Sequence, residues 1–371
     1  MSYMQRTRIL TDSDLDDNAT WRRRIDLSGK VTALELRINC DRYATRAAIG
    51  EVHTLLDCIS RIELLKDATT PIVSLTGEQL DAMNYWDFGK PNPRRYRQEA
   101  STGNDIILFL MGGRSLYDRE YGFDFDKLSK IYLEYTYDLN EGDAEYFKAN
   151  DHDIKIYAYQ WVGDDAPNFR GYMRNRQLDA WTTSASGAEH LVDISASNPI
   201  RRVCVQSKTR GTTLGGALSK LELRVDKGAY SPVIIPSLMD WVMAEVVEYG
   251  LDNEIGGIDY IYCDSGHDLP YWFSYYQNGQ VSAYASIAVQ PGMTALLSIP
   301  ATIAGVAGQY GEAVFSNQGW GFQKCLRIGF DHEHDGFDLL RVPGGKALDL
   351  VCTENAASKS VAAFVQDIVS Y

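Results

Sequence analysis

An internal repeat constrains the fold of this chain more than any other feature. The stretch Ser60 to Leu64 returns, with two conservative changes, as Ser219 to Leu223. Each copy leads through a turn into a short apolar segment and then into a helix-like run that closes on a glycine, Gly89 or Gly250. The copies are offset by 159 residues at the serines (219 − 60) and by 161 at the prolines of the apolar segments (232 − 71). We therefore place a two-residue difference in the turn and predict two domains of one fold.

Length and composition agree with two folded domains. At 371 residues the chain exceeds the roughly 250 to 300 at which a single core usually stops growing. It is 45% hydrophobic and 23% charged, a composition that excludes broad disorder. No run of 18 apolar residues occurs and residues 1–20 carry no signal-peptide pattern, so we expect neither membrane insertion nor general secretory export.

The cysteines predict a reducing environment. They are far apart and follow no metal-binding spacing, so buried free thiols are the expected state. The six cysteines are Cys40, Cys58, Cys204, Cys263, Cys325 and Cys352.

The net charge disfavours anionic partners, although the sequence contains local basic clusters. The formal net charge of −14 opposes bulk attraction to nucleic acid or to an anionic membrane. Basic clusters nevertheless occur at Arg22-Arg23-Arg24, at residues 94–97 and at Arg201-Arg202. Each is explained equally well as a solvated or ion-paired surface and as a contact site.

The pattern along the chain predicts an all-β fold with short flanking helices. Residues 1–24 are interrupted by aspartates and are expected to form a flexible N-terminal arm. Thr76 and Gln79 fit a capping box, which predicts a short helix, and Ser237 begins the matching helix. Short alternating strands separated by turn residues indicate β-sandwiches. We predict two tandem β-sandwiches, at 25–195 and 196–371, the second with a long loop excursion within 251–345; the resemblance described below implies that both are jelly rolls.

Two further segments carry more specific expectations. Residues 163–200 contain several turn signals and are predicted to be a loop and linker. The stretch from Val361 to Ile368 has helical spacing of its apolar residues. Each half also has a strand of alternating apolar residues near its end, and we predict that Leu133 and Leu350 occupy equivalent positions in these two strands.

The sequence carries no signature of catalysis. Nucleotide-binding and common hydrolase motifs do not occur, and we predict no enzymatic activity, no catalytic residue and no cofactor. The densest ligand-like cluster is residues 331–335, where His332 and His334 would face the same side of a strand and could share a metal. A polar loop explains these residues equally well, so no metal site is predicted.

An aromatic segment lies inside the predicted excursion. Such side chains serve either as stacking platforms for sugars or as buried packing and subunit interface. We treat five of them as candidate tower or interface residues: Tyr271, Trp272, Phe273, Tyr275 and Tyr276.

Two tandem sandwiches with a matched strand-turn-strand-helix unit and one larger excursion resemble the double jelly-roll major capsid proteins of tailless icosahedral viruses, including bacteriophages. The residues that carry the resemblance are 62–89, 109–139, 221–250 and 337–353. The resemblance implies a homotrimer that forms a pseudo-hexagonal capsomer, and capsomers that build an icosahedral virion shell. Two similar domains in one chain suit this arrangement, because three copies then fill six similar places.

The resemblance also implies partners and a location. The arm would lie at the inner base of the shell, where Arg22, Arg23 and Arg24 could contact genome, an internal membrane or neighbouring capsomers. The excursion would form an exposed tower. Minor capsid, vertex or penton proteins would be further partners, and the protein would be found in the virion after assembly in the host cell cytoplasm.

Two other functions remain open from the residues. A double jelly-roll glycan-active hydrolase would also have tandem sandwiches and would use carboxylates between them. A non-catalytic glycan-binding protein would use the aromatic segment, with Trp272 as a stacking platform.

Overall fold

Strands make up most of the part of the chain that the structure describes. The structure is a computed structural model. The residues it describes are 1–16, 18–42, 55–90, 92–97, 103–139, 147–209, 214–238, 240–241, 252–263, 270–272, 280–284, 286–287, 294–298, 309–319, 322–331, 338–344 and 346–371.

The first half of the chain contains ten strands and one helix among the described residues. The strands are β1 (Tyr3–Asp12), β2 (Asn18–Ile25), β3 (Lys30–Arg42), β4 (Ile59–Lys66), β5 (Thr70–Leu75), β6 (Arg94–Arg97), β7 (Gly103–Met111), β8 (Phe123–Asp124), β9 (Ile131–Asp138) and β10 (Phe147–Val162). Helix α1 (Gly77–Phe88) lies between β5 and β6.

The second half adds further strands in two groups separated by the excursion. Before the excursion come β11 (Gly171–Thr182), β12 (Glu189–Ile194), β13 (Ile200–Ser207), helix α2 (Leu214–Ala217), β14 (Leu218–Val225) and β15 (Tyr230–Ile235). The excursion contains β16 (Asp252–Cys263), β17 (Pro270–Trp272), β18 (Gln280–Tyr284), β19 (Ser286–Ile287), β20 (Thr294–Ser298) and β21 (Gln309–Gly319). A 3₁₀ turn (Phe322–Lys324) then precedes β22 (Cys325–Gly329), β23 (Leu348–Glu354) and β24 (Ser360–Ser370).

Backbone contacts divide the chain into two units. Unit 1 comprises Met1–Gly171 with Asn253–Phe273 and Gly279–Gln318. The excursion was predicted to belong to the second sandwich, but most of it belongs to unit 1, because β16 pairs with β6. Unit 2 comprises Tyr172–Asp252, Ser274–Asn278 and Gly319–Tyr371.

Unit 1 is built on two sheets. One has the strand order β2-β9-β4-β5, and the other contains β1-β10-β3-β7-β6 and continues into β16, β21 and β20. Strand β9 alternates buried and half-buried residues along its whole length, as expected for a strand with one face on a core. His152 on β10 joins the two sheets, because its ring contacts Tyr135 and Tyr137 of β9 edge-on at 5.5 and 4.5 Å.

Unit 2 repeats this plan. One sheet has the order β12-β23-β14-β15, and the other contains β24-β13-β22, with β11 beside β24. A single apolar core joins the two sheets. Its members include Val192, Val203, Val205, Leu221, Leu223, Ile328, Leu350, Val361, Ala363 and Val365.

The two units match strand by strand and in register. Seven strands of unit 1 (β2, β3, β4, β5, β7, β9 and β10) correspond in chain order and in sheet position to β12, β13, β14, β15, β22, β23 and β24. Leu64 lies opposite Leu133 in unit 1, and Leu223 lies opposite Leu350 in unit 2. The predicted equivalence of Leu133 and Leu350 is therefore confirmed, and the repeat is a duplicated jelly-roll sandwich.

The hairpin turns of the repeat also match. Asp67 and Ala68 in one copy, and Asp226 and Lys227 in the other, all have positive φ, as required in a tight hairpin turn. The strand after the turn shifts by one residue, because Leu64 pairs with Val73 and Leu223 pairs with Val233, giving offsets of 159 (223 − 64) and 160 (233 − 73). The alignment of Pro71 with Pro232 was thus one residue out of register.

The helix after the hairpin begins where the sequence predicts. Thr76 and Gln79 form the reciprocal capping box, and Gly89 closes α1 in the left-handed region, with its N–H donating to the Tyr85 carbonyl. In unit 2 the Asp240 N–H donates to Ser237 Oγ at 3.3 Å, so Ser237 caps the helical residues described at 238 and 240–241.

The prediction of a flexible N-terminal arm is wrong. Strand β1 pairs along β10, and β2 pairs along β9 from Asn18 to Ile25. Both strands lie at the edges of their sheets, where exposed positions dilute the apolar alternation that marks a strand. Since β2 begins at Asn18 and β12 begins at Glu189, ahead of residues 25 and 196, each sandwich starts before its predicted limit.

Two further segments differ from expectation. Residues 163–200 are not only a loop and linker, because they contain β11 and β12. The last segment, Ser360–Ser370, is a strand rather than a helix. Its residues are buried from Val361 to Ile368, so both of its faces are covered and no two-residue period is visible in its sequence.

The described cysteines are free and buried, as predicted: Cys40, Cys58, Cys204, Cys325 and Cys352. Within the described ranges, no helix has the length and hydropathy needed to span a membrane.

Candidate functional site

The duplication allows the same surface to be compared on both units. In each unit the four-stranded sheet has one face on the core and one face turned away from it, which we call the outer face. A row of four paired residues crosses each outer face. The row in unit 1 is Arg22, Glu134, Glu63 and Ser74. The corresponding row in unit 2 is Leu191, Val351, Glu222 and Ile234.

The outer face of unit 1 is polar and internally paired. Arg22 forms an ion pair with Glu134 at 2.9 Å. Arg61 lies 3.0 Å from Glu63, and the Ser74 hydroxyl donates to the same carboxylate at 2.7 Å. The two glutamates of the row are therefore compensated within the unit, Glu134 by Arg22 and Glu63 by Arg61.

The same row in unit 2 is largely apolar. Leu191 is 56% exposed and Ile234 is 53% exposed. Val351, which lies on β23 between Leu191 and Glu222, is buried. Glu222 is the one acid that both rows share in position, and it accepts hydrogen bonds from Arg224, Ser231 and Lys220, which lower its pKa to about 2. The face thus presents the aliphatic side chains of Leu191 and Ile234 to solvent. Between them lies the ionised carboxylate of Glu222, whose charge is compensated by Arg224 and Lys220.

An unrelieved pair of acids lies next to Leu191. Asp193 and Asp349 are directly opposite each other on β12 and β23, an arrangement that is unfavourable for like charges. Arg224 is the next residue across the sheet, but its guanidinium bonds Glu222 at 3.1 Å and Glu189 at 3.2 Å. Within the described ranges neither aspartate has an ion-pair partner.

The three predicted contact arginines lie on the edge strand β2. Arg22, Arg23 and Arg24 have side chains 43%, 51% and 55% exposed. Arg23 pairs with Asp12 at 2.6 Å and Arg24 pairs with Asp26 at 2.8 Å. They form one exposed basic edge whose charges are met by carboxylates of the same unit, of which Glu134 is 17% exposed, Asp12 27% and Asp26 73%.

The structure describes only part of the predicted aromatic segment and of the cluster at residues 331–335. Tyr271 and Trp272 lie in β17, whereas Phe273, Tyr275 and Tyr276 lie outside the described residues, as do His332 and His334. Asp331 is described, and it forms a buried ion pair with Arg201. The described part of the chain contains no group of acids, histidines and cysteines suited to a metal ion.

Sequence reasoning missed Leu191 and Ile234. Their signal becomes visible only when the two copies are aligned through the sheets, because Leu191 then stands where the first copy has Arg22, and Ile234 where it has Ser74.

Comparison with known proteins identifies the architecture. No protein-family model matches the sequence, and no curated protein sequence matches it. Solved structures match over almost the whole chain. The major capsid protein of Sulfolobus turreted icosahedral virus is 10% identical, with a TM-score of 0.60 and with 99% of this chain and 96% of that chain covered.

Two other structures agree with this match. The major capsid protein of bacteriophage PM2 is 8% identical, with a TM-score of 0.54 and coverage of 99% and 98%. The PBCV-1 virus capsid model is 7% identical, with a TM-score of 0.52 and coverage of 99% and 94%. Matched strand order, matched register and these alignments together establish that the chain has the double jelly-roll fold of viral major capsid proteins.

Proposed function

We propose that this protein is a major capsid protein that builds an icosahedral virion shell. The observation that carries the proposal is the duplication, in which seven strands of each unit share order and pairing, and four of them also share register. A chain with two equivalent sandwiches can occupy two equivalent places in a lattice. Three such chains then supply the six places of a pseudo-hexagonal capsomer.

The surfaces fit a protein that functions by association. The two units share a core plan, but they differ at matched outer positions, where one row is polar and the other apolar. A chain that must form different contacts with its two halves needs this combination of shared scaffold and divergent surface. The proposed location is the virion, with assembly in the host cell cytoplasm, and the proposed main partner is the protein itself.

Mass measurement in solution and electron microscopy test the proposal. The purified chain is expected to sediment as a species of three times 41.6 kDa and to form closed shells or hexagonal sheets under assembly conditions. A monomer at every concentration and ionic strength tried would contradict it. Minor capsid or vertex proteins and an internal membrane are further proposed partners, and co-purification from particles tests them separately.

A further inference from the structure

We propose that the outer face of unit 2 around Leu191 binds the basic edge strand β2 of a second copy of the chain. The inference rests on the proposed function, because it names the surface through which copies meet. It follows from three features of the described residues: an apolar row, an unrelieved acid pair and a complementary basic edge.

The apolar row is the first feature. Single exposed aliphatic residues are common and need no explanation. Here, however, Leu191 and Ile234 lie in one row across the sheet, more than half exposed, and the matched row of unit 1 has Arg22 and Ser74 in their places. Since the two sheets match in register and each covers the core of its own unit, the fold itself does not require aliphatic residues there. Their presence in one unit alone indicates a contact that only this unit makes.

The acid pair is the second feature. Asp193 and Asp349 face each other beside Leu191, and Arg224, the nearest cation across the sheet, is bound to Glu222 and Glu189. An arginine from outside would remove the repulsion and gain two carboxylates. The surface therefore fits a partner that brings guanidinium groups together with apolar stems, which arginine side chains provide.

The basic edge is the third feature and identifies the occupant. Strand β2 carries three consecutive arginines that are each about half exposed. It is the first strand of its sheet in unit 1, as β12 is in unit 2, so both are edges. The carboxylates that now pair with Arg22, Arg23 and Arg24 are 17%, 27% and 73% exposed, in that order. The pair of Arg24 with Asp26 is therefore the weakest of the three, and Arg24 is the arginine that can most easily exchange its partner. A basic edge on one unit and an acidic edge on the other make a head-to-tail contact that extends from copy to copy.

Alanine variants test the apolar part. Leu191→Ala with Ile234→Ala removes the two exposed side chains, and Ser74→Ala at the position matching Ile234 is the control. We expect the double variant to need at least about tenfold more protein for assembly, as measured by light scattering and sedimentation, while the control assembles like wild type. Thermal unfolding checks that each variant remains folded.

A charge exchange tests the occupant. Asp193→Arg and Arg24→Asp should each reduce assembly, and the two changes in one chain should restore it, because the partners have been swapped. Failure of the combined variant to recover, with all variants folded, would overturn β2 as the occupant.

The outcomes separate the two proposals. If wild type assembles and the alanine pair assembles equally well, this inference is wrong while the proposed function stands, and the surface belongs to another virion protein or to none. If wild type forms no multimer, the proposed function fails and this inference fails with it.

Discussion

Arg6 on β1 reaches over β10 and donates two hydrogen bonds, each 2.7 Å, to the carboxylate of Glu35 on β3. Glu35 is only 1% exposed and also accepts from Arg37 Nε and the Tyr159 hydroxyl. Burial alone would raise the pKa of this carboxyl, but the hydrogen bonds from Arg6, Arg37 and Tyr159 outweigh burial and hold the pKa below its usual value. A segment expected to be a loose arm is thus fixed across three strands of the sheet.

Arg6→Ala should therefore destabilise unit 1 by about 1 to 2 kcal/mol at pH 7, because a buried carboxylate loses its paired donors. The control is Arg8→Ala on the same strand, an exposed position at which we expect a change within about 0.5 kcal/mol. Urea unfolding measures both. Equal effects of the two variants would show that the contact between Arg6 and Glu35 does not anchor β1.

Acid should weaken unit 1 through His152. The ring is fully buried, its Nε2 lies 3.0 Å from the Tyr135 hydroxyl, and burial lowers its pKa from 6.5 to about 4. The unfolded chain then takes up a proton below pH 6.5 that the folded chain refuses until about pH 4. Stability is accordingly lost as pH falls through this window, by at most about 3 kcal/mol.

Two variants isolate this effect. Tyr135→Phe with His152→Phe keeps two aromatic rings and removes the titrating group together with its hydrogen-bond partner, so the loss of stability between pH 6.5 and 4 should shrink by up to about 3 kcal/mol. Tyr135→Phe alone retains His152 and should keep the wild-type slope. Parallel unfolding curves for all three proteins over this range would rule out His152 as the source.

Close packing in the loop before β8 gives a further prediction. A Cβ on Gly122 would lie 2.5 Å from the Phe169 ring and 2.9 Å from the Val31 carbonyl oxygen, and Phe169 is buried. Gly122→Ala should cost about 1 to 3 kcal/mol through overpacking. Gly344, whose Cβ would meet nothing within 4 Å, is the matched control and should tolerate alanine. Thermal unfolding measures the stability of both variants. A Gly122→Ala protein as stable as the wild type would contradict the prediction, because the loop would then relax without cost.

The sequence predicts the duplicated scaffold well because the repeat preserves both chemistry and spacing. Leu64 and Leu223 occupy matching positions in their ladders, and Thr76 and Ser237 cap the helical residues that follow each hairpin. Short-range signals of this kind depend on neighbours in the chain and can be read directly.

The missed elements depend on long-range pairing instead. Strand β1 consists of exposed and half-buried residues and is held by β10 and Glu35, which lie far away in sequence. Strand β24 is buried on both faces, so its apolar run is indistinguishable from one side of a helix. The outer row with Leu191 emerges only from pairing across four strands, which no local pattern encodes.

A buried ion pair in unit 2 offers the sharpest test of how burial sets the strength of a charge contact. Arg201 Nε lies 2.8 Å from Asp331 Oδ2, with both side chains 1% exposed, and Arg201 Nη1 also donates to Gln366 at 3.0 Å. Arg24 and Asp26 are separated by the same 2.8 Å, but their side chains are 55% and 73% exposed. The two pairs share this N–O distance and differ in solvent access.

Asp331→Ala should destabilise the protein by about 3 to 5 kcal/mol, because it leaves a guanidinium buried without this carboxylate. Asp26→Ala should cost less than about 1 kcal/mol, since water screens the exposed pair. Arg201→Met combined with Asp331→Leu removes both charges and should recover part of the loss. Denaturant unfolding measures all three variants. Equal costs for Asp331→Ala and Asp26→Ala would contradict the argument, because distance alone would then determine the contribution of each pair.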